Sequence, residues 1–237
     1  MNQTVNQCFS EQGALAKAIP GFKARQSQLD MANAVAAAIK DKCQLVVEAG
    51  TGTGKTFAYL APALQAGRKV IVSTGTKALQ EQLFHRDLPL VKKALKPSMK
   101  TALLKGRSNY LCLYRTAQHA MHAPFDDPEF LSDLSKVQRW STETDSGDLG
   151  ELTAIEENSR VIPFVTSNVD NCLGKDCPNI GECHVMEARK KAMDAELVVV
   201  NHHLFFADMA LKDTGFGELV PETDVIIFDE AHQIPDI

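Results

Sequence analysis

The twelve residues Leu45–Thr56, LVVEAGTGTGKT, constrain this chain more than any others. An apolar run, Leu45-Val46-Val47, leads into a glycine-rich turn that ends in Gly54-Lys55-Thr56. That order reads as a buried strand, a loop of open backbone N–H groups, and the first turn of a helix. Loop amides and the positive end of the helix dipole converge there and make an anion site. Gly52 and Gly54 permit a tight turn and let the backbone approach phosphates without a Cβ in the way. Lys55 then reaches the β- and γ-phosphates as a point charge, and the Thr56 hydroxyl ligates Mg²⁺. Ala49 stands where the G-x-x-x-x-G-K-T spacing has its first glycine, and a small residue can serve there. Ala49, Gly50, Thr51, Gly52, Thr53, Gly54, Lys55 and Thr56 are therefore expected to cradle a nucleoside triphosphate with Mg²⁺.

Around this loop the chain alternates. Gln26–Lys40 carries Leu29, Ala32, Val35, Ala36 and Ile39 at helical spacing. A helix from about Lys55 to Ala66 follows the loop, and Lys69–Thr74 reads as a second buried strand. Gly75 and Thr76 open an amphipathic helix through Leu79, Leu83 and Leu88, disturbed at Pro89, and Thr101–Leu104 is a third strand. Strand and helix alternating at these lengths imply right-handed crossovers, hence an α/β fold with a parallel sheet. From Lys105 to about Lys191 the rhythm fails. That stretch is polar and loop-rich, holds the only tryptophan, Trp140, and four of the six cysteines. It reads as an insertion with its own organising element. Alternation resumes with Glu196–Asn201 and Asp224–Asp229, apolar runs suited to strands covered on both faces. Residues 1–20 read as a weakly ordered lead into a short helix, punctuated by Gly13 and Pro20-Gly21.

Asp229-Glu230-Ala231-His232 follows the last of these strands. Ligands of open α/β sheets bind outside the carboxyl ends of the strands, so this turn should face the phosphate loop. Asp229 is suited to hold Mg²⁺, and Glu230 to orient or deprotonate an attacking water. AGTGTGKT together with DEAH resembles a superfamily 2 helicase, and Ser73–Leu83, STGTKALQEQL, resembles its motif Ia. The segment around Arg25 and Gln28 resembles the adenine-reading Q-motif; a primary amide offers the donor and acceptor that an adenine edge asks for. The resemblance thus groups Arg25, Gln28 and His232 with the nucleotide contacts, and ATP with Mg²⁺ as cofactors.

Composition narrows the surroundings. Net charge is −5, so contact with nucleic acid must come from local patches. Thr74, Lys77, Lys105 and Arg107 are plausible single-strand contacts. No apolar run is long enough for a membrane span, and the polar start is no secretory signal, which together point to the cytoplasm. In that reducing compartment the cysteines are thiols or metal ligands. Cys112 stands apart, and Cys172, Cys177 and Cys183 are grouped in NCLGKDCPNIGEC. Four thiolates so arranged can wrap a [4Fe–4S] cube. Intervals of five and six positions differ from the short pairs of zinc ribbons, though zinc and unliganded thiols remain alternatives. Cys8 and Cys43 read as spare or buried thiols. His202 and His203, after a strand end, read as one structural histidine and one near the surface.

GRSNYLC, the grouped cysteines, VVVNHHLF and DEAH, in this order, resemble the iron–sulfur helicases of the XPD/DinG family from about Ile19 onward. The resemblance implies a RecA-like first motor lobe over residues 21–104 and 192–237, with an iron–sulfur cluster domain inserted at 105–191. It implies an ATP-dependent helicase moving 5′ to 3′ on single-stranded or forked DNA in replication and repair. The bacterial branch it most resembles suggests the clamp-loader chi subunit as a partner. In this family a second lobe brings arginines that neutralise the transition state, worth about a thousandfold. These 237 residues alone are therefore expected to bind ATP and carry the cluster but unwind nothing. A non-catalytic module binding DNA or a replication protein is the alternative, and a nuclease ranks behind both.

Overall fold

The structure, a computed structural model, describes residues 4–50, 52–95, 98–121, 127–214 and 219–237. The chain forms two compact units, Met1–Leu103 with Ala192–Ile237, and Leu104–Lys191. The first is built on four parallel strands, β1 (Val70–Thr74), β2 (Thr101–Leu103), β3 (Leu197–Asn201) and β4 (Val225–Phe228), in the order β2-β3-β1-β4. This is the α/β parallel sheet that the alternation implies. β1 is buried along its whole length, and β3 up to its last residue, as continuous apolar strands covered on both faces should be, whereas β4 departs from that expectation, being only partly buried with Ile226 45% exposed. The register pairs Ser73 of β1 with Val200 and with Phe228, so three strands end at one level. Their carboxyl ends carry the chemistry described below.

Two helices hold this edge in place. Gln26–Asp41 buries Gln28, Ala32, Val35 and Ile39, one stripe at helical spacing, and stops at Lys42, whose φ of 54° is left-handed. Lys55–Gln65 buries every residue from Ala58 to Leu64, which marks it as a central helix enclosed on all sides. In the helix that follows β1, Lys77–Glu81 widens into a π-helix over Gln82–Asp87 before continuing as Leu88–Leu95. Pro89 lacks an N–H and its ring crowds the preceding turn, and the wider turn accommodates both.

Two expectations about this unit are corrected. The N-terminal residues are not a loose lead. Val5–Cys8 is a helix with a complete capping box from Thr4 and Gln7, and Cys8, Phe9 and Leu15 are fully or almost fully buried in the main core. Cys8 also accepts a hydrogen bond from Gln65 Nε2 at 3.0 Å, the buried-thiol reading made concrete, whereas Cys43 is exposed. The second correction concerns Leu45–Val47, which forms no strand. Val46 is 97% exposed, and Leu45 and Val47 are exposed as well. A strand exists only where a neighbour completes its ladder, and no described strand lies beside this run.

The second unit has more helix than its polar sequence suggests: Leu113–Met121, Pro128–Ser141 and His184–Met193. Leu111, Phe130, Leu134, Val137, Leu152, Val161 and Val165 form a core of their own, with Trp140 packed against it. Phe130, Leu134 and Val137 recur at i, i+4 and i+7, and Asp127 caps their helix by accepting from Glu129 N–H. Lys105 is not a DNA contact here. It is 5% exposed, and its ammonium lies 2.6 Å from Asp148 Oδ2. No helix among the described residues is long and apolar enough to cross a membrane.

Candidate nucleotide and metal-cluster sites

The turn after Ala49 and the turn after β4 meet at the carboxyl edge of the sheet. Thr51 lies outside the described residues. Gly52 and Gly54 take φ of 74° and 82°, in the left-handed region that glycine enters without strain. A side chain at Gly54 is excluded twice, because its Cβ would also stand 2.1 Å from Gln28 Nε2. The loop is braced from the preceding helix. Arg25 Nη1 donates to the Gly52 carbonyl, Gln28 Nε2 donates to the Gly54 carbonyl at 2.9 Å, and Thr53 Oγ1 donates to the Gly50 carbonyl at 2.9 Å. Gln28 is 5% exposed, and its Oε1 makes no hydrogen bond among the described residues. Ala49 is half-buried at the loop's entrance.

Lys55 opens the helix, and its Nζ reaches Glu230 Oε1 at 3.3 Å across 175 positions of sequence. Tyr59 OH donates to Asp229 Oδ2 at 3.1 Å, from the helix that begins Lys55-Thr56. One phenol therefore links the helix that carries Thr56 to the turn that carries Asp229, the two residues expected to hold Mg²⁺. Burial raises the Asp229 carboxyl above its ordinary pKa and the charge of Glu230 adds to this, while the Tyr59 hydrogen bond and Lys55 oppose it. Burial, with Asp229 beside it, keeps the Tyr59 phenol protonated and so able to donate. His232 is exposed, with Nδ1 3.5 Å from Glu230 Oε2. Tyr59 was not singled out in the sequence, though its place three positions beyond Thr56 puts both on one helix face.

Other expected contacts part company here. Thr74 is fully buried and its hydroxyl donates to the Thr76 carbonyl, so it shapes the turn after β1. Thr76 caps the next helix, and Lys77 beside it is exposed. His202 is fully buried and His203 exposed, one inside and one outside as expected, but His202 is not the fully satisfied histidine that was expected, because its Nε2 makes no hydrogen bond among the described residues.

In the second unit, Cys112, Cys172, Cys177 and Cys183 are all free and partly exposed. Cys177 and Cys183 each end a short 3₁₀ turn, Gly174–Asp176 and Ile180–Glu182, so compact turns present both thiols. Burial pushes the Cys112 thiol up in pKa, and the charges of Cys177, Cys183 and Cys172 push it further. Each of the three grouped thiols is thus near enough to Cys112 to act on its charge. Among the described residues, no three His, Cys, Asp or Glu groups stand close enough to hold a single metal ion. A cube offers a separate iron to each thiolate, so its ligands stand farther apart than those of one ion. Arg189, partly buried, lies near Cys172, Cys183 and Arg107, a cationic border to the thiols.

Residues 29–152, more than half of the chain, match the DEAD/DEAH box helicase family. The chain is 59% identical over 236 residues to the ATP-dependent DNA helicase YoaA of Haemophilus influenzae, covering all of this chain and 37% of that protein. With YoaA of Escherichia coli the identity is 60% over 229 residues, 97% of this chain and 36% of that one. The ATP-dependent helicase DinG of Mycobacterium tuberculosis is 36% identical over 258 residues, all of this chain and 38% of its own length. The chain therefore spans a little over a third of these relatives. By the geometry of its sheet edge and by this match, the chain belongs to the DEAD/DEAH box helicase family.

Proposed function

We propose that this chain is the ATP-binding part of an iron–sulfur DNA helicase that moves 5′ to 3′ along single-stranded DNA and opens duplexes in replication and repair. The observation that carries the reading is the meeting of Lys55 with Glu230 and of Tyr59, on the same helix as Lys55 and Thr56, with Asp229. In this reading residues 21–104 and 192–237 form the motor lobe and 105–191 the cluster domain, with residues 1–20 packed on the lobe. The protein works in the cytoplasm on single-stranded or forked DNA, to which exposed Lys77 and partly exposed Arg107 offer phosphate contacts. The names of the similar proteins support DNA as substrate, and the clamp-loader chi subunit is the proposed protein partner.

Catalysis follows from charge exchange at the edge. Without nucleotide, Lys55 and Glu230 neutralise each other. When the phosphates enter the loop, Lys55 turns to them and its carboxylate partner is released. Glu230 is then the base that orients and deprotonates water for attack on the γ-phosphorus, as the bond to the β–γ bridging oxygen breaks and ADP leaves. Thr56 and Asp229 would hold Mg²⁺, which neutralises charge on the β- and γ-oxygens. Gln28 links base recognition to loop geometry, since Nε2 holds Gly54 while Oε1 is available to an adenine edge. Arg25 bonds the same loop, and His232 sits on the far side of Glu230.

The chemistry of the donor set supports a [4Fe–4S] cluster held by Cys112, Cys172, Cys177 and Cys183, since the three grouped thiols each lie near Cys112 and Arg189 stands at their border. Bound there, the cluster supplies a four-point covalent tie between segments 60 residues apart and a one-electron redox centre. Anaerobically purified protein is expected to be brown, with broad visible absorbance that Cys112→Ser or Cys177→Ser abolishes. A colourless protein holding stoichiometric zinc would overturn the cluster while leaving the nucleotide site intact.

A further inference from the structure

His202 is fully buried, although a histidine after a strand end has no need to be. Its Nδ1 lies 2.7 Å from Ser73 Oγ. Ser73 in turn accepts the Asp229 N–H through its own carbonyl at 2.8 Å. One residue of β1 therefore holds the histidine by its side chain and the acidic turn by its main chain. The His202 ring also packs, tilted, 6.0 Å from Phe228, which immediately precedes Asp229 and is itself fixed by an edge contact from Phe205 at 5.0 Å. The carbonyls of Asp229 and Glu230 lie near the ring, yet Nε2 forms no hydrogen bond among the described residues. A buried polar atom left without a bond is rare and marks a constraint imposed by its surroundings.

That constraint has a visible object. Glu230 has φ 56° and ψ 43°, left-handed for a residue with a Cβ. Such geometry persists only where neighbours over-determine it. The left-handed turn swings the chain so that Glu230 faces Lys55 while Asp229 faces Tyr59. Ser73 bonds both His202 and the Asp229 N–H that begins this turn.

We propose that His202, clamped to Ser73, is a positioning residue that holds the Asp229–Glu230 turn in the left-handed geometry needed for Mg²⁺·ATP. It touches neither nucleotide nor metal. This rests on the nucleotide-site reading above, and it adds a second line of connection. Ser73 begins the segment Ser73–Thr76 that leads to exposed Lys77, and a Cβ on Gly75 would stand 2.0 Å from Gln233 Oε1, just past the acidic turn. The proposed DNA-facing turn and the acidic turn are thus packed together, with His202 as the buried link.

The test is ATP affinity of the whole chain, by calorimetric titration with Mg²⁺ and again in excess chelator. His202→Leu should weaken binding about tenfold with Mg²⁺, the effect of one buried hydrogen bond, and leave Mg²⁺-free binding within about twofold. His202→Asn, which places an amide near the Nδ1 position, should restore most of the loss. Ser73→Ala removes the same bond from its other end, so it should show the same Mg²⁺-specific loss, and the double variant should lose no more than either single one. Should His202→Leu fail to fold, Ser73→Ala and His202→Asn carry the test alone. Equal losses with and without Mg²⁺, or a lowered unfolding temperature with Mg²⁺·ATP affinity unchanged, would show a purely structural histidine and overturn the role. Absence of any Mg²⁺-dependent ATP binding by the unsubstituted chain would remove the site itself, and this role with it.

Discussion

Lys55→Ala is expected to weaken Mg²⁺·ATP binding by about a hundredfold while the fold stays almost as stable as before. The ammonium stands at the first residue of the helix, where it adds its charge to the loop amides and the helix dipole. A hydrogen bond to a charged group contributes about 1.5–3 kcal/mol, and about 2.8 kcal/mol is a hundredfold in affinity. The stability side is small, because the Lys55 and Glu230 side chains are each 28% exposed. A pair so placed contributes at most about 1 kcal/mol. Titration calorimetry and thermal unfolding of the same sample separate the two effects. Lys55→Arg should not recover the wild-type affinity, since a planar fork is a different shape from a compact ammonium in a glycine loop. A function that survives Lys55→Ala unchanged would favour a binding module over an ATP-driven motor.

Asp148→Ala is expected to be the most destabilising substitution in the second unit, by about 3–5 kcal/mol, because it strips a buried ammonium of its carboxylate. The side chains of Lys105 and Asp148 are only 4% and 10% exposed, and the ammonium lies 2.7 Å from Oδ1 and 2.6 Å from Oδ2. Asp148 also accepts from the Gly150 N–H at 3.0 Å, so its removal loosens the turn as well. Replacing both partners, Lys105→Met with Asp148→Leu, should recover much of the loss, since no charge is then left buried. Trp140 is the only tryptophan and packs against this unit's core, so urea unfolding followed by its fluorescence reports on this unit. A loss below about 1 kcal/mol would mean that the pair is wetter than its burial indicates.

The sheet was legible in the sequence because its strands are continuous apolar runs with helices between them, and β1, β3 and β4 lie within two residues of the expected limits. The same signal misleads at Leu45–Val47. Apolarity reports that a segment can be buried, but a strand also needs a partner, and partners are set by topology. Residues 5–18 were misread for the opposite reason, since their short helices gain order from Thr4 capping and from packing of Cys8, Phe9 and Leu15 rather than from propensity.

At the nucleotide site, residue types and spacing pointed to the phosphate loop and the acidic turn, and their mutual approach is visible only in space. Tyr59 carries no signal of its own in the sequence, and what Ser73 and His202 bond to emerges only in space, because their partners lie far away in the chain. Lys105 shows the reverse error. A lysine in a polar stretch reads as surface, and nothing local reveals that Asp148 buries it.

The phosphate loop and the acidic turn should share one ligand. A crystal structure of the chain with Mg²⁺ and a non-hydrolysable ATP analogue tests this most directly. The β- and γ-phosphates should lie in the loop between Gly50 and Thr56, with Lys55 drawn from Glu230 onto them and Mg²⁺ between Thr56 and Asp229. Nucleotide bound elsewhere, or phosphates in the loop with Lys55 still paired to Glu230, would contradict it.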